Sequence, residues 1–131
     1  MKIMALDFGS ARTGVAVSDP TGVVARPVCV VERASGGTGL AEIARLAREQ
    51  DVDEIVVGHP LTLRGDRGDQ ARAAERFAKA LRAAVDVPVK LFDERFTTDL
   101  AEQHVSATPK DARAAAHLLS SYLEWSGSAL R

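Results

Sequence analysis

Two groups of carboxylates in the sequence follow short apolar runs, where a metal ion could reach them. Asp7 ends the apolar run that opens the chain, and Asp93 and Glu94 follow a second apolar run. Active residues of open α/β sheets collect at the carboxyl ends of strands. Hard oxygen ligands suit Mg²⁺ or Mn²⁺, and two such ions can activate water and neutralise charge in phosphodiester hydrolysis. The pattern therefore predicts a two-metal site for that reaction.

The spacing of the acids leaves two assignments open. Adjacent side chains near a strand end point in opposite directions, so one of Asp93 and Glu94 is expected to face the site, and we favour Glu94. Asp111 lies near the start of the last predicted helix. Its position alone favours a helix-starting acid that interacts with the helix dipole.

Cations and small residues lie close to these acids in the sequence. Arg12 and Arg95 could pair with the acids, or they could hold substrate phosphates through their planar donor groups. Gly9 could permit a tight turn, a close approach of a phosphate backbone, or both. Thr97 precedes a predicted helix, so it is a capping residue as well as a candidate substrate contact.

Two further features bear on the same chemistry. His59 ends a predicted strand and could assist proton transfer. Four basic residues, Arg72, Arg76, Lys79 and Arg82, form a stripe opposite the apolar side of the second predicted helix. A stripe of this kind either contacts nucleic acid or is a solvated helix face, and the solvated face is the commoner case.

Apolar runs and helical periodicities define the elements that would position these residues. Strands are predicted over residues 2–8, 13–18, 23–31, 55–58 and 87–92, with the first three as an antiparallel meander. Pro27 indicates a sheet edge or a strand end. Helices are predicted over 40–47 after a flexible 35–39 linker, over 69–85, and from 98 to about 125 with a break near Pro109. The fold class is therefore α/β, a mixed five-stranded sheet flanked by helices.

Composition narrows the class of protein. The 131 residues suit one domain, residues 1–131, and 46% hydrophobic with 27% charged residues is typical of a globular protein. No apolar stretch approaches the roughly 20 residues of a membrane span, and the lone Cys29 fits a reducing compartment. We therefore expect a cytoplasmic protein. The net charge of -1 does not by itself indicate a nucleic-acid-binding protein. However, metal cations bound to clustered acids would neutralise them, and the arginines could then contact phosphate.

Three segments together resemble the YqgF/RuvX family, in order and along nearly the whole chain. They are DFGSARTGVAVSD at 7–19, VGHPL at 57–61 and DERFTT at 93–98. The family is similar to Holliday-junction resolvases and has an RNase H-like fold, and its bacterial members are described as pre-16S ribosomal RNA nucleases or as resolvases of branched DNA. The resemblance implies that Asp7, Glu94 and Asp111 are catalytic metal ligands.

The end of the chain departs from the family pattern. The basic stretch that usually precedes the last acid is nearly absent, so the assignment of Asp111 depends on its distance from residues 121–123, which resemble the family's closing helix. Glu102 is a substitute candidate.

Three functions compete at this point. The leading one is a metal-dependent nuclease acting on structured RNA or branched DNA; resolving a symmetric junction would need two active sites and hence a homodimer. The second is nucleotide binding, because residues 7–14 resemble the phosphate-holding hairpin of the actin and sugar-kinase superfamily. Those proteins use two such domains, and a chain of this size supplies one. The third is a catalytically silent module that binds RNA or protein.

Overall fold

A three-stranded unit followed by alternating helices and strands makes up the described chain. The computed structural model describes the backbone of residues 1–96 and 110–129, and their side chains except at 96, 110, 111 and 127–129. The elements in chain order are β1 (Ile3–Asp7), β2 (Arg12–Ser18), β3 (Ala25–Glu32), α1 (Gly37–Glu49), β4 (Glu54–His59), α2 (Asp69–Ala84), β5 (Val89–Asp93), a 3₁₀ turn (Glu94–Phe96) and α3 (Lys110–Ala129).

The strands form one mixed sheet in the order β3-β2-β1-β4-β5. The β1–β2 and β2–β3 pairs are antiparallel, whereas β1–β4 and β4–β5 are parallel. This confirms the predicted mixed five-stranded sheet. Because β1, β4 and β5 run in the same direction, their carboxyl ends, at Asp7, His59 and Asp93, meet at one edge. We call this edge the carboxyl rim.

Alternating side chains divide the sheet into two packed sides. Met4 and Leu6 of β1 lie in the core beneath α1 and α2, which we call the helix-pair side. Ile3 and Ala5 face the other way, into a second cluster with residues of α3. The period of two in a strand dictates this division. The long helix α3 crosses β1, β2 and β3 on its own side, where the small buried residues Ala112 and Ala115 permit close packing.

The edge strand β3 begins later than predicted. Its first residue is Ala25, because the N–H groups of Val23 and Val24 donate to the carboxylate Oδ1 of Asp19, each at 2.8 Å, and so close a turn. Pro27 lies within β3, at the outer edge of the sheet, as its missing donor predicted.

The helices also differ from prediction at their ends. Helix α1 begins at Gly37, so the prediction of a flexible linker over 35–39 was wrong for its last three residues. Gly39 is buried, and a Cβ there would collide with the backbone of Arg33 and Ala34. Glycine therefore lets the first turn of α1 lie directly against the end of β3.

The last helix starts after a proline, as expected. Helix α3 begins at Lys110, immediately after Pro109, while the predicted helical residues 98–109 lie outside the described residues. In the described part of the chain, no helix combines the length and the apolar character that crossing a bilayer requires.

Candidate active site at the carboxyl rim

Two acids from distant parts of the sequence meet at the carboxyl rim. Asp7 is the last residue of β1, and Glu94 directly follows the last residue of β5. A side-chain hydrogen bond joins their two carboxyl groups, and both residues are partly buried. The structure therefore brings together the first two of the three predicted acids.

Gly58 on the neighbouring strand β4 makes room for this pair. Asp7 of β1 is paired with Gly14 of the antiparallel strand β2. On β4, a Cβ placed on Gly58 would lie 2.5 Å from Oε1 of Glu94. The Glu94 carboxyl group thus lies directly over the backbone of Gly58, in space that any other residue would fill.

The electrostatics of the pair are unusual. Burial first, and then the charge of Asp7 and the hydrogen bond to it, raise the pKa of Glu94 to about 7. Two ionised carboxylates about 4 Å apart would repel by about 4 kcal/mol at an effective dielectric constant of ~20. A proton held between the two groups removes that repulsion, and a divalent cation would remove it as well. The carboxylate oxygens are suitable ligands for such a cation, and the absence of a side chain at Gly58 leaves room for them.

Asp93, the neighbour of Glu94, has a different partner. Its carboxylate accepts hydrogen bonds from the backbone N–H and the guanidinium of Arg95, with Nη2 to Oδ2 at 2.6 Å. These bonds hold the pKa of Asp93 below its ordinary value. Of the two adjacent acids, Glu94 meets Asp7 and Asp93 pairs with Arg95.

A second group of charges lies on the helix-pair side of the carboxyl rim. His59 Nε2 lies 2.6 Å from Oε2 of Glu75, and the guanidinium of Arg67 donates to both oxygens of the same carboxylate. Arg67 chiefly, and His59 next, lower the pKa of Glu75 to about 2. We call His59, Glu75 and Arg67, together with Asp93 and Arg95, the paired-charge network.

Sequence reasoning had singled out His59 but not Glu75. The only local signal is that Glu75 directly follows the buried Ala74 on α2, at the boundary of the apolar stripe. An acid at such a boundary is near enough to the sheet to receive a partner from a strand end.

The predicted substrate contacts around β1 and β2 lie close to the rim. A Cβ on Gly9 would lie 2.5 Å from the carbonyl oxygen of Arg12, so the turn itself requires glycine there. Arg12 is exposed at the start of β2. With Ser10 and Arg33 it lines an open cleft of about 570 Å³.

The third predicted acid is described in part. Asp111 lies in the first turn of α3, and its side chain is outside the described set. Thr97 and Glu102 lie outside the described residues altogether. Within the described side chains, no group of three His, Cys, Asp or Glu residues is arranged to hold a metal ion. Asp7 and Glu94 thus form a pair of acids to which a further ligand would have to be added.

A buried polar contact anchors α3 on its side of the sheet. The Tyr122 hydroxyl donates to Oε1 of Glu54 at 2.6 Å, and Lys90 Nζ lies 3.1 Å from the same oxygen. Glu54 is buried at the start of β4. Tyr122, which also packs against Phe92, therefore provides the hydrogen bond that keeps this buried acid satisfied.

Related proteins resemble the chain along most of its length. A protein of Chloroflexus aurantiacus is 46% identical, and the alignment covers 77% of this chain but only 66% of that protein. A protein of Anaeromyxobacter is 42% identical, with coverage of 95% and 97%. Both carry the description "Putative pre-16S rRNA nuclease".

A solved structure shares the fold. Thermus thermophilus RuvC, in complex with a Holliday junction substrate, superposes with a TM-score of 0.70, covering 98% of this chain and 96% of RuvC at 13% identity. This likeness confirms the predicted RNase H-like fold. The family model of RuvX, described as Holliday junction resolvase, matches residues 1–125. The chain, with its motifs at the ends of β1, β4 and β5, therefore belongs to the RuvX family.

Proposed function

We propose that this chain is a metal-dependent nuclease that hydrolyses phosphodiester bonds in structured nucleic acid. The observation that carries the proposal is the hydrogen-bonded pair of Asp7 and Glu94 at the carboxyl rim. Membership of a family described as Holliday junction resolvase, and relatives named as nucleases, support it.

In this proposal Asp7, Glu94 and Asp111 hold Mg²⁺ or Mn²⁺, two ions being the expected number. Bound there, the ions supply an activated water and relief of the charge that grows on the phosphate. Glu94 gives up its proton when it becomes a ligand, because ligating carboxylates are deprotonated. Gly58 keeps the space above the backbone open for the carboxyl group.

The remaining predicted residues would position the substrate. Arg95 is already oriented by Asp93, and Arg12 lines the open cleft beside the β1–β2 turn, so each could donate to a phosphate of the bound strand. Gly9 keeps that turn tight, and Thr97 is retained as a candidate contact. The products would carry 5′-phosphate and 3′-hydroxyl ends.

The names of the relatives suggest two substrates. One is pre-16S ribosomal RNA, and the other is a Holliday junction. For this chain we propose processing of the 5′ end of the RNA, or cleavage of the junction or similar branched DNA. Symmetric junction cleavage would require a homodimer that brings two sites to one substrate. We propose a cytoplasmic location, which the lone Cys29 favours because it fits a reducing compartment.

A cleavage panel tests the proposal. Single-stranded RNA, duplexes, a four-way DNA junction and an extended ribosomal precursor are incubated with Mg²⁺ or Mn²⁺. Wild type should cleave at least one of them, and Asp7→Asn should lower the rate roughly 10³-fold, because a metal ligand contributes several kcal/mol to the transition state. Asp86→Asn, an exposed acid away from the site, is the matched control and should keep full activity.

Several results would contradict the proposal. Full activity in Asp7→Asn would remove the metal site. Binding of ATP with measurable heat, in a chain that cleaves nothing, would favour the nucleotide-binding alternative. A melting temperature and activity unaffected by either ion would favour a catalytically silent module. Sedimentation with and without a junction distinguishes a dimeric resolvase from a monomeric RNA nuclease.

A further inference from the structure

Three basic side chains form an exposed row along α2, which we call the outer basic row: Arg72, Arg76 and Lys79. Their spacing of four and three residues places them on one side of the helix. That side is opposite the buried residues Ala74, Phe77 and Leu81. At 1.5 Å per residue, the row is about 10.5 Å long.

Within the described residues, two of the three charges of this row, those of Arg76 and Lys79, are not neutralised by a neighbouring acid. Across the residues that the structure describes, neither Arg76 nor Lys79 lies within ion-pair distance of a carboxylate, and Arg72 approaches the fully exposed Asp69 only at 4.0 Å. Glu75 lies beside the row, but Arg67 and His59 already occupy its carboxylate.

Helix α1 shows what an ordinary solvated helix face looks like in this protein. There Arg45 pairs with both Glu42 and Glu49, at the i−3 and i+4 positions. Such pairs are the usual way in which charged helix faces are stabilised. Because Arg76 and Lys79 have no such pair among the described residues, and Arg72 only a long one with Asp69, solvation alone is a poorer explanation of α2 than of α1.

The distribution of charge along the chain also distinguishes α2 from α1. Residues 60–84 contain six basic and three acidic residues, although the net charge of the chain is -1. The positive charge is therefore concentrated on α2 and the loop before it. A shallow depression of about 250 Å³ runs between Arg67 and the outer basic row.

The outer basic row begins close to the carboxyl rim. Glu75 bonds to His59, the last residue of β4, and Gly58 before it supports the Glu94 carboxyl group. The row therefore extends along α2 from the carboxyl rim, on the helix-pair side of the sheet, whereas Asp7 and Glu94 lie at the same rim on the α3 side, so a bound strand would cross the rim to reach both. A length of about 10.5 Å corresponds to roughly three phosphates of one strand at 3.4 Å per step along the helix axis.

We infer that the outer basic row binds the sugar–phosphate backbone of the nucleic-acid arm that flanks the scissile phosphate. This inference rests on the proposed nuclease function and adds where the uncleaved part of the substrate lies. The contact is electrostatic and independent of base sequence, because the row offers charge to phosphates and no groups in the geometry of a base edge.

Binding measurements with charge-neutralised variants test the inference. Arg76→Gln/Lys79→Gln is compared with Arg45→Gln/Arg48→Gln, which removes the same charge from the exposed side of α1. Both are made in the Asp7→Asn background, so that the substrate is not cut. A four-way DNA junction and a stem-containing ribosomal precursor are each titrated over a range of salt concentrations.

Loss of two phosphate contacts should make the negative slope of log K against log salt about 1.8 units shallower on duplex DNA and weaken binding about tenfold. The α1 control should keep the parent slope and affinity. The charge-preserving variant Arg76→Lys/Lys79→Arg should bind like the parent. If binding falls more for the DNA junction than for the ribosomal precursor, the row contacts a DNA arm, and if it falls more for the precursor, the row contacts an RNA stem.

The result that overturns the inference is an unchanged slope and affinity in Arg76→Gln/Lys79→Gln with both nucleic acids. An equal loss in the α1 control would overturn it too, since net charge alone would then explain binding. Either result leaves the nuclease proposal standing if wild type cleaves. Conversely, a reduced slope in a chain that cleaves nothing would support the row and contradict only the proposed chemistry.

Discussion

The carboxyl rim carries two clusters of charge on opposite sides of one sheet, and they are built in opposite ways. On the α3 side, Asp7 and Glu94 bring two acids together, and the pKa of Glu94 rises to about 7. On the helix-pair side, each acid has a cation: Glu75 bonds to Arg67 and His59, and its pKa falls to about 2.

The difference separates a group that supports the fold from a group available for chemistry. Opposite charges that satisfy one another cross-link the loop before α2 to the helix and the sheet. Like charges held together destabilise the fold unless a proton or a cation lies between them, and such arrangements are concentrated at functional sites. The division runs between the adjacent residues Asp93 and Glu94, which belong to different clusters.

The largest effect that would test this division is expected from Gly58→Ala. The added methyl would occupy the place of the Glu94 carboxyl oxygen, which lies at the end of a flexible side chain and can move aside. We expect cleavage to fall about 100-fold, as for other small displacements of a reacting group, with little change in unfolding temperature. Initial rates and thermal unfolding measure the two quantities.

Gly37→Ala is the matched control for that variant. A Cβ at Gly37 meets nothing within 4 Å, so both activity and folding should be retained. Full cleavage by Gly58→Ala would mean that the position of the Glu94 carboxyl group is irrelevant to the reaction.

An intermediate effect is expected in the pH dependence of the metal-free protein. Glu94 has a raised pKa in the folded state, so its stabilising contribution is complete below its unfolded value of 4.5 and is lost as pH rises through about 7. Between pH 5 and 8, the melting temperature of wild type should fall relative to Glu94→Gln by about 4 °C, the shift that ~1 kcal/mol produces in a domain of this size.

Addition of Mg²⁺ or Mn²⁺ at pH 8 should reverse that loss in wild type and leave Glu94→Gln largely unaffected. Calorimetric scans of both proteins across the pH range supply the comparison. Parallel curves for the two proteins, with and without metal, would show that the two acids do not repel each other in solution.

The smallest effect is expected from Glu75→Gln. It removes the charge that pairs with Arg67, so thermal stability should fall slightly near neutral pH. Because the pKa of Glu75 is lowered on folding, the difference from wild type should shrink as pH falls from about 4.5 towards 2. Cleavage should decrease far less than in Gly58→Ala.

Glu49→Gln, which also removes an exposed ion-pair partner, is the appropriate control for Glu75→Gln. If a folded Glu75→Gln protein lost as much activity as Gly58→Ala, the two sides of the carboxyl rim would not be functionally separate.

The fold, and the position of Asp7 and Glu94 at strand ends, could be predicted because both depend on local patterns, whereas their role as metal ligands stays a prediction. Apolar runs defined the strands, and the period of two in a strand predicted that Asp93 and Glu94 would diverge. The motifs at 7–19, 57–61 and 93–98 supplied the family. Each of these signals lies within a short stretch of consecutive residues, so the sequence alone reveals it.

The features that the sequence did not predict depend on contacts between elements that are distant in the chain. Nothing near Glu75 in the sequence indicates that a strand end and a loop will both reach it. The late start of β3 arises from an acid four residues upstream of Val23, which competes with the sheet for its N–H group. The early start of α1 depends on the space that Gly39 leaves for the backbone of another segment.

The aromatic contact at the far end of α3 has a practical consequence. Trp125 is the single tryptophan of the chain and is half-exposed, with its ring centre 5.7 Å from that of Phe92, two residues before Glu94. Its intrinsic fluorescence therefore reports, without an attached label, on the seam between the last helix and the last strand. A shift in emission maximum or a change in quenching would record any motion of that helix when Mg²⁺ or Mn²⁺ is added or the pH is changed.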